Sequence, residues 1–240
     1  PIGEIYRNKT LDPMTGDIRE VTLEPANEDE IANTIAVMGG EDWEMWVDAL
    51  RMEGLLAENF LTLAYSYIGP ELTHPIYKNG TIGKAKDHLQ ATAEKINESL
   101  VDLSGKALIS VNKALVTQAS SAIPVVPLYM SLLFKIMKEK GTHEGCIEQM
   151  YRLFAHHLFI EDELKLDEKG RVRVDDYEMK PEVQSQIQAM WDTVSTENLD
   201  TTTDIKGYRE DFYHLFGFAV PGVDYRVEVD PKVSIPSIEE

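Results

Sequence analysis

The chain has 240 residues, of which 43% are hydrophobic, and a formal net charge of −19. This composition is typical of a globular protein with one large core or two modest ones, and the acidic balance argues against nucleic acid or an anionic membrane as a partner. No apolar run reaches the roughly 18 residues of a membrane span, and no signal-peptide pattern opens the chain. We therefore expect a cytoplasmic protein whose single cysteine, Cys146, is a reduced core thiol.

The first part of the chain predicts a hairpin and two short helices. Two strands are expected around the turn at residues 12–16, where Asp, Pro and Gly supply good turn chemistry. Asn27 and Glu30 form a capping-box signature that opens the first helix. On the second helix, Trp43 and Trp46 are expected to be packing anchors.

The next segment predicts a β-α-β unit. Residues 61–67 and 106–112 are apolar runs without polar alternation, which is typical of parallel strands buried on both faces. Residues 81–100 are long enough for the crossover helix between them. Two strands alone would leave open sheet edges. We therefore expect a fragment whose further strands precede Pro1.

The remainder is mostly helical. Residues 127–140 are apolar nearly all round, so this helix should be buried or line an apolar pocket. Residues 171–174 alternate as a small strand, and Pro181 opens a further helix. The acidic pair Asp175-Asp176 is expected to be solvated charge.

Tyr67, Tyr77 and Lys86 are the candidate site residues. A tyrosine and a lysine at the carboxyl end of a buried strand are how many nicotinamide enzymes move a proton to or from a substrate oxygen. Tyr65 and Tyr67 share a face, and Tyr67 lies nearer the strand end, so we expect Tyr65 in the core and Tyr67 at the site. The alternative, in which these tyrosines only pack, stays open.

Spacing alone does not select Tyr77 and Lys86, because Tyr129 and Lys138 are also nine residues apart. On a continuous helix nine residues turn about 900°, so Tyr129 and Lys138 point to opposite faces. Tyr77 precedes its helix, and nearby glycines let the backbone fold back toward Lys86.

The helix pattern also selects Lys86 among its neighbours. Lys84 and Lys95 lie opposite the apolar stripe and should be solvated, whereas Lys86 lies at its boundary and can place its ammonium at the sheet end. The stripe consists of Ile82, Ala85, Leu89, Ala93, Ile96 and Leu100.

Other chemistries have weaker support. His156 and His157 are adjacent, so they diverge on a helix, and we expect no metal site. The chain has no Gly-x-Gly-x-x-Gly turn, no phosphate-binding Gly-Lys-Ser/Thr loop and no Gly-x-Ser-x-Gly motif.

Five segments, in order and covering nearly the whole chain, closely resemble the long single-chain trans-2-enoyl reductases of bacteria. That family comprises NADH-dependent enoyl-acyl-carrier-protein reductases and trans-2-enoyl-CoA reductases, which are enlarged relatives of the short-chain dehydrogenases. The segments are Gly39-Gly-Glu-Asp-Trp43, Ala64-Tyr-Ser-Tyr-Ile-Gly69, Gly80-Thr-Ile-Gly-Lys-Ala-Lys86, Ser110-Val-Asn-Lys-Ala-Leu-Val-Thr117 and Met137-Lys-Glu-Lys-Gly141.

The resemblance implies an α/β fold, namely the helix-rich C-terminal part of a Rossmann-like, short-chain-dehydrogenase-related fold without its N-terminal strands. The family's glycine-rich pyrophosphate turn is absent, so the chain should be a C-terminal half that is inactive alone and needs the missing N-terminal half as its partner. We expect one domain with a hairpin and two-helix insertion at 1–60, a β-α-β catalytic portion at 61–126, and a helical substrate-pocket and C-terminal region at 127–240.

The resemblance also implies an activity, the NADH-dependent reduction of the 2,3-trans double bond of enoyl-ACP or enoyl-CoA in fatty acid biosynthesis. Tyr77 matches the proton donor, Lys86 the cofactor-contacting lysine and Tyr67 the substrate-contacting tyrosine. Leu115, Val116 and Thr117 match a loop that touches NAD.

Acyl-carrier protein and coenzyme A are both acidic, so an enzyme of this charge needs a local basic patch. Lys135, Lys138 and Arg152 are candidates, although plain surface charge explains each equally well. The competing hypothesis is a non-enzymatic acidic helical module that binds a partner through its apolar helix.

Overall fold

A computed structural model describes residues 1–159, 164–232 and 234, so parts of the expected 127–240 region lie outside the described residues. The strands are Tyr6–Leu11 (β1), Ile18–Leu23 (β2), Leu61–Ser66 (β3), Lys106–Val111 (β4) and Val172–Arg173 (β5). The helices are Glu28–Met38 (α1), Glu41–Met52 (α2), Thr81–Ser99 (α3), Gln118–Ala122 (α4), Val126–Glu139 (α5), Cys146–Leu153 (α6), Pro181–Thr193 (α7), Leu199–Thr202 (α8) and Ile205–His214 (α9).

A three-stranded parallel sheet, ordered β3-β4-β5, positions the candidate site. The expected β-α-β unit is present as β3, α3 and β4, and its register runs from Leu61 opposite Lys106 to Ser66 opposite Val111. The short strand β5 adds a third member by pairing Val172 with Ser110. An α/β fold is therefore confirmed, and the carboxyl ends of all three strands share one edge.

The two apolar strands differ in burial, against expectation. Residues 107–111 of β4 are buried, because strands lie on both sides of it. In contrast, β3 pairs only with β4 among the described residues, and Tyr65 is 52% exposed. The prediction that Tyr65 belongs to the core was therefore wrong. A side chain on an edge strand has a neighbouring strand on one side only, so less of its surface is covered.

The N-terminal hairpin and its two helices form as expected. The β1 and β2 strands are antiparallel, and Asn27 Oδ1 and Glu30 Oε2 each accept the other residue's backbone N–H at 2.9 Å. Trp43 anchors α2 by donating to Thr62 Oγ1 at 2.8 Å. Trp46 is 68% exposed, so the prediction that it anchors packing was wrong.

The largest core surrounds α5. This helix is buried along most of its length, as its all-round apolar sequence predicts, and it packs against α7, α9 and β1. Among the described residues, no helix is both long and apolar enough to cross a membrane.

Candidate active site

Tyr67 leaves the sheet just beyond the carboxyl end of β3, at the edge where a crevice is expected in open α/β sheets. Its hydroxyl donates to Glu178 Oε1 at 2.8 Å. Two residues further on, Gly69 turns the chain with a φ of +75°. This glycine lies close to the Tyr67 ring. A Cβ at Gly69 would be 3.1 Å from that ring, so glycine permits this approach.

Tyr77 is held outside α3, as its position before the helix predicts. Its carbonyl accepts the N–H groups of Gly80 at 3.2 Å and Gly83 at 2.9 Å, which ties it to the first turn of the helix. A side chain at position 83 would collide with the Lys78 carbonyl oxygen. Gly83 is therefore required for the close packing that places Tyr77 beside α3.

Lys86 lies at the boundary of the buried face of α3, as predicted. Ala85 and Leu89 are buried, Lys84 is exposed, and Lys95 is exposed and paired with Glu44. Burial lowers the pKa of Lys86 below the ordinary lysine value. Among the described residues, no carboxylate forms an ion pair with its ammonium.

Tyr67, Tyr77 and Lys86 line one cavity of about 320 Å³. The Tyr67 and Tyr77 rings meet edge to face, with their centroids 5.1 Å apart. Burial raises the pKa of Tyr77 to about 12, so its hydroxyl stays protonated at neutral pH. The structure thus brings together the three side chains that the sequence singled out.

The basic residues of this cavity are not the ones expected. Lys135 pairs with Glu139, Lys138 with Asp204, and Arg152 with Glu144 and Asp176, so all three candidates are neutralised by neighbours. The cavity instead is lined by three lysines, Lys78, Lys86 and Lys169, that have no ion-pair partner among the described residues, and they give its wall a local positive charge beside the single carboxylate of Asp87. Arg171 and Arg173 also line it, but both pair with nearby aspartates.

The acidic pair near this wall departs from expectation. Asp175 is 1% exposed and pairs with Arg173 at 2.7 Å, so the prediction that it is solvated was wrong. Its neighbour Asp176 is exposed and pairs with Arg152. The structure also places Cys146 on the surface, against the expectation of a core thiol.

Leu115, Val116 and Thr117 follow the carboxyl end of β4 but are not among the described residues that line this cavity. Val116 is 7% exposed and joins the α5 core. Thr117 caps α4 by accepting the N–H of Ser120 at 3.0 Å. Their contact with NAD stays a prediction.

Glu178 contacts Tyr67 from outside the cavity lining, and nothing in the sequence predicted this contact. It precedes α7 and its side chain is fully buried, yet it lies in a charged stretch with no periodic pattern. Its position under Tyr67 depends on a contact between two residues that are 111 positions apart in the sequence.

Among the described residues, no group of His, Cys, Asp and Glu has the arrangement of a metal site.

Comparisons with known proteins agree with the resemblance seen in the sequence. Residues 1–159 match the family model described as the trans-2-enoyl-CoA reductase catalytic region, and residues 166–229 match one described as the enoyl reductase FAD binding domain. The enoyl-acyl-carrier-protein reductase (NADH) of Flavobacterium johnsoniae is 59% identical over 239 residues, which is 100% of this chain and 60% of the relative. That of Opitutus terrae is 60% identical over 233 residues, which is 97% of this chain and 59% of the relative.

Solved structures match as well. Treponema denticola trans-2-enoyl-CoA reductase in complex with NAD has a TM-score of 0.91 at 52% identity, covering 95% of this chain and 57% of that one. The Clostridium acetobutulicum enzyme in complex with NADH has a TM-score of 0.92 at 42% identity, covering 95% and 58%. The chain thus spans about 60% of the length of the curated relatives it matches. These shares do not support the expectation of a C-terminal half whose N-terminal strands are missing.

Proposed function

This chain belongs to the trans-2-enoyl-CoA reductase family, and from that membership we propose that it carries the proton-donating side of an NADH-dependent enoyl reductase. The substrate class is a trans-2-enoyl thioester of acyl-carrier protein or coenzyme A, reduced at its 2,3 double bond in fatty acid biosynthesis. The observation that carries the proposal is the shared cavity of Tyr77, Tyr67 and Lys86.

The residues of this cavity fit a nicotinamide nucleotide. Lys86 presents a partly buried ammonium that has no carboxylate partner among the described residues, and such a group suits the hydroxyls of a ribose. Lys78 and Lys169 add positive charge, which attracts the phosphates of a nucleotide or of coenzyme A. When bound, NADH supplies a hydride to the β-carbon of the enoyl group.

Tyr77 would then be the donor to the thioester oxygen of the substrate. Hydride addition to an enoyl thioester develops negative charge on the thioester oxygen, and a neutral phenol is suited to donate a hydrogen bond or a proton there. The pKa of Tyr77, raised by burial to about 12, keeps the hydroxyl protonated throughout the neutral range.

Residues 166–229 offer no free helix start with a nearby glycine to the pyrophosphate of a flavin dinucleotide. The described helix start with a nearby glycine is that of α9, where Asp204 accepts the N–H of Gly207 at 3.2 Å. A carboxylate therefore already occupies the place where a phosphate would bind. Around Gly207 the free space is filled by Asp204 and Lys138 side chains. We derive no step through a flavin.

The remaining expectations stay predictions. They are a cytoplasmic location, inactivity of the chain by itself, and a need for a further segment as partner. The choice between acyl-carrier protein and coenzyme A as carrier is likewise open to measurement.

The test is an NADH-oxidation assay with crotonyl-CoA on two proteins. One is this chain alone, and the other is a chimaera in which the chain replaces the matching segment of the Flavobacterium johnsoniae reductase, to which it is 59% identical. We expect the chimaera to oxidise NADH only when crotonyl-CoA is present. A folded chimaera without this activity would contradict the proposal and favour the acidic binding module. A chimaera that carries Tyr77→Phe controls for activity that does not depend on this chain's cavity.

A further inference from the structure

The Glu178 carboxylate lies behind Tyr67 and is completely buried. Its Oε1 accepts the hydroxyl protons of Tyr67 at 2.8 Å and Tyr129 at 2.7 Å. Its Oε2 accepts the backbone N–H of Ala114 at 2.7 Å. Because a buried carboxylate is costly unless its oxygens are bonded, three short bonds fix both this group and its partners.

A buried cation accompanies this acid. Lys113 is 2% exposed, donates to the Ala114 carbonyl at 2.8 Å and lies 4.7 Å from the centre of the Phe134 ring. Burial raises the pKa of Glu178, and its three hydrogen bonds together with the charge of Lys113 oppose that rise. Ala114 therefore links the two charged groups through its own N–H and carbonyl.

The bond to Glu178 decides what the Tyr67 hydroxyl can do. A phenol has one proton to donate, and Tyr67 donates it to Glu178, so toward the cavity its oxygen can only accept. Burial and the Glu178 charge also raise the pKa of Tyr67 well above its usual range. Tyr77, packed edge to face on the same ring, has no hydrogen-bond partner for its hydroxyl among the described residues.

We propose that Glu178 is a positioning residue that acts through Tyr67. By accepting a hydrogen bond from the Tyr67 hydroxyl it holds that ring against Tyr77 and leaves Tyr77 as the donor to the substrate oxygen. This inference rests on the proposed reductase function, and it assigns different tasks to two tyrosines that the sequence treats alike.

Glu178→Gln tests the proposal with little change of shape. The amide oxygen can still accept from Ala114, but its NH₂ group now donates to Tyr67 and Tyr129, so the Tyr67 proton turns toward the cavity. We expect kcat of the chimaera to fall about tenfold, the scale of one hydrogen bond to a charged group, with KM for NADH unchanged. Tyr65→Phe, on the exposed side of the same strand, is the matched control and should keep wild-type kcat.

A double-mutant cycle separates positioning from general structural support. We expect Tyr67→Phe to lower kcat, and Glu178→Gln to lower it no further in the Tyr67→Phe background, because Glu178 acts only through that hydroxyl. Losses that multiply, or wild-type kcat in Glu178→Gln, would overturn the proposal.

Failure of the proposed role of Glu178 can be distinguished from failure of the proposed reductase function. If Glu178→Gln does not fold, Glu178→Asp retains the charge but shortens the side chain, and the same cycle with Tyr67→Phe applies. If Tyr77→Phe and Tyr67→Phe both keep wild-type turnover, the proposed function itself fails. If only the cycle is additive, the reductase assignment stands and the role of Glu178 is refuted.

Discussion

On one side of the Tyr67 ring, the Glu178 carboxylate accepts three hydrogen bonds from donors of the protein itself. On the other side, the Tyr77 hydroxyl and the Lys86 ammonium line a cavity and have no such partners among the described residues. A fully bonded buried network fixes geometry, whereas polar groups left free at a cavity are available to a ligand. The difference supports the proposal that Tyr67 belongs to the scaffold and that Tyr77 is the hydrogen-bond donor to a substrate.

The comparison predicts that Lys113, in the buried network, affects stability, that Tyr77 and Lys86, at the cavity, affect activity, and that Glu178 affects activity only through Tyr67. The largest effect on stability is expected at Lys113, whose pKa burial lowers to about 8. Between pH 8 and the ordinary lysine pKa, the unfolded chain holds a proton that the folded chain has released. The free energy of unfolding should therefore rise by about 3 kcal/mol across this window.

Urea unfolding at a series of pH values measures this rise. Lys113→Met should flatten the curve between pH 8 and 10, and the difference isolates Lys113 from Lys86, which contributes in the same direction. Tyr67 and Tyr129 have raised pKa values and oppose the rise only above pH 10. A wild-type curve no steeper than that of the variant would show that Lys113 is not a desolvated charge.

A second prediction concerns the backbone that positions Tyr77. Gly83→Ala would normally favour a helix, but here the added methyl group meets the Lys78 carbonyl, which cannot move freely. We expect a loss of about 2 kcal/mol in the free energy of unfolding, the scale of an overpacked site. Gly54→Ala is the control, because space around Gly54 is open and only its left-handed φ is penalised, by about 1 kcal/mol. Stabilisation by Gly83→Ala would refute the close approach.

A smaller effect is expected for Lys86→Met in the chimaera. Loss of one charge-assisted hydrogen bond should raise KM for NADH about tenfold, and the unfolding free energy at neutral pH should rise slightly because a desolvated charge is removed. Lys84→Met removes an exposed lysine of the same helix turn and should change neither quantity. Equal effects of the two substitutions in steady-state kinetics would mean that Lys86 acts only as general surface charge.

Local patterns explain which parts of this site the sequence could predict. The apolar stripe of α3 and the glycines at its start are encoded within a short stretch of chain, so the amino-acid pattern alone predicts that Lys86 and Tyr77 come together, as they do at the cavity. It does not assign Glu178, because the burial of that acid depends on strand and helix contacts far apart in the chain. The hydrophobic periodicity of a sequence does not indicate which acidic residue becomes buried when segments that are far apart in the chain pack together.

The same distinction explains the errors in the fold. An apolar run predicts a strand but not its place in the sheet, so β3 at an edge and β4 at the centre look alike in sequence. Exposure of Trp46 and Cys146 likewise depends on which neighbours pack on each helix face. Helix bounds are more predictable, because capping residues and glycines act locally.

The most direct test of the account compares two tyrosine-to-phenylalanine substitutions in the chimaera. Tyr77→Phe removes the free hydroxyl at the cavity, and Tyr208→Phe removes a buried hydroxyl that has no hydrogen-bond partner among the described residues and lies outside this cavity. With crotonyl-CoA and NADH, we predict that Tyr77→Phe loses about 10²-fold or more in kcat, the scale of a lost acid or oxyanion donor, while Tyr208→Phe keeps wild-type kcat. Wild-type turnover in Tyr77→Phe would contradict the account.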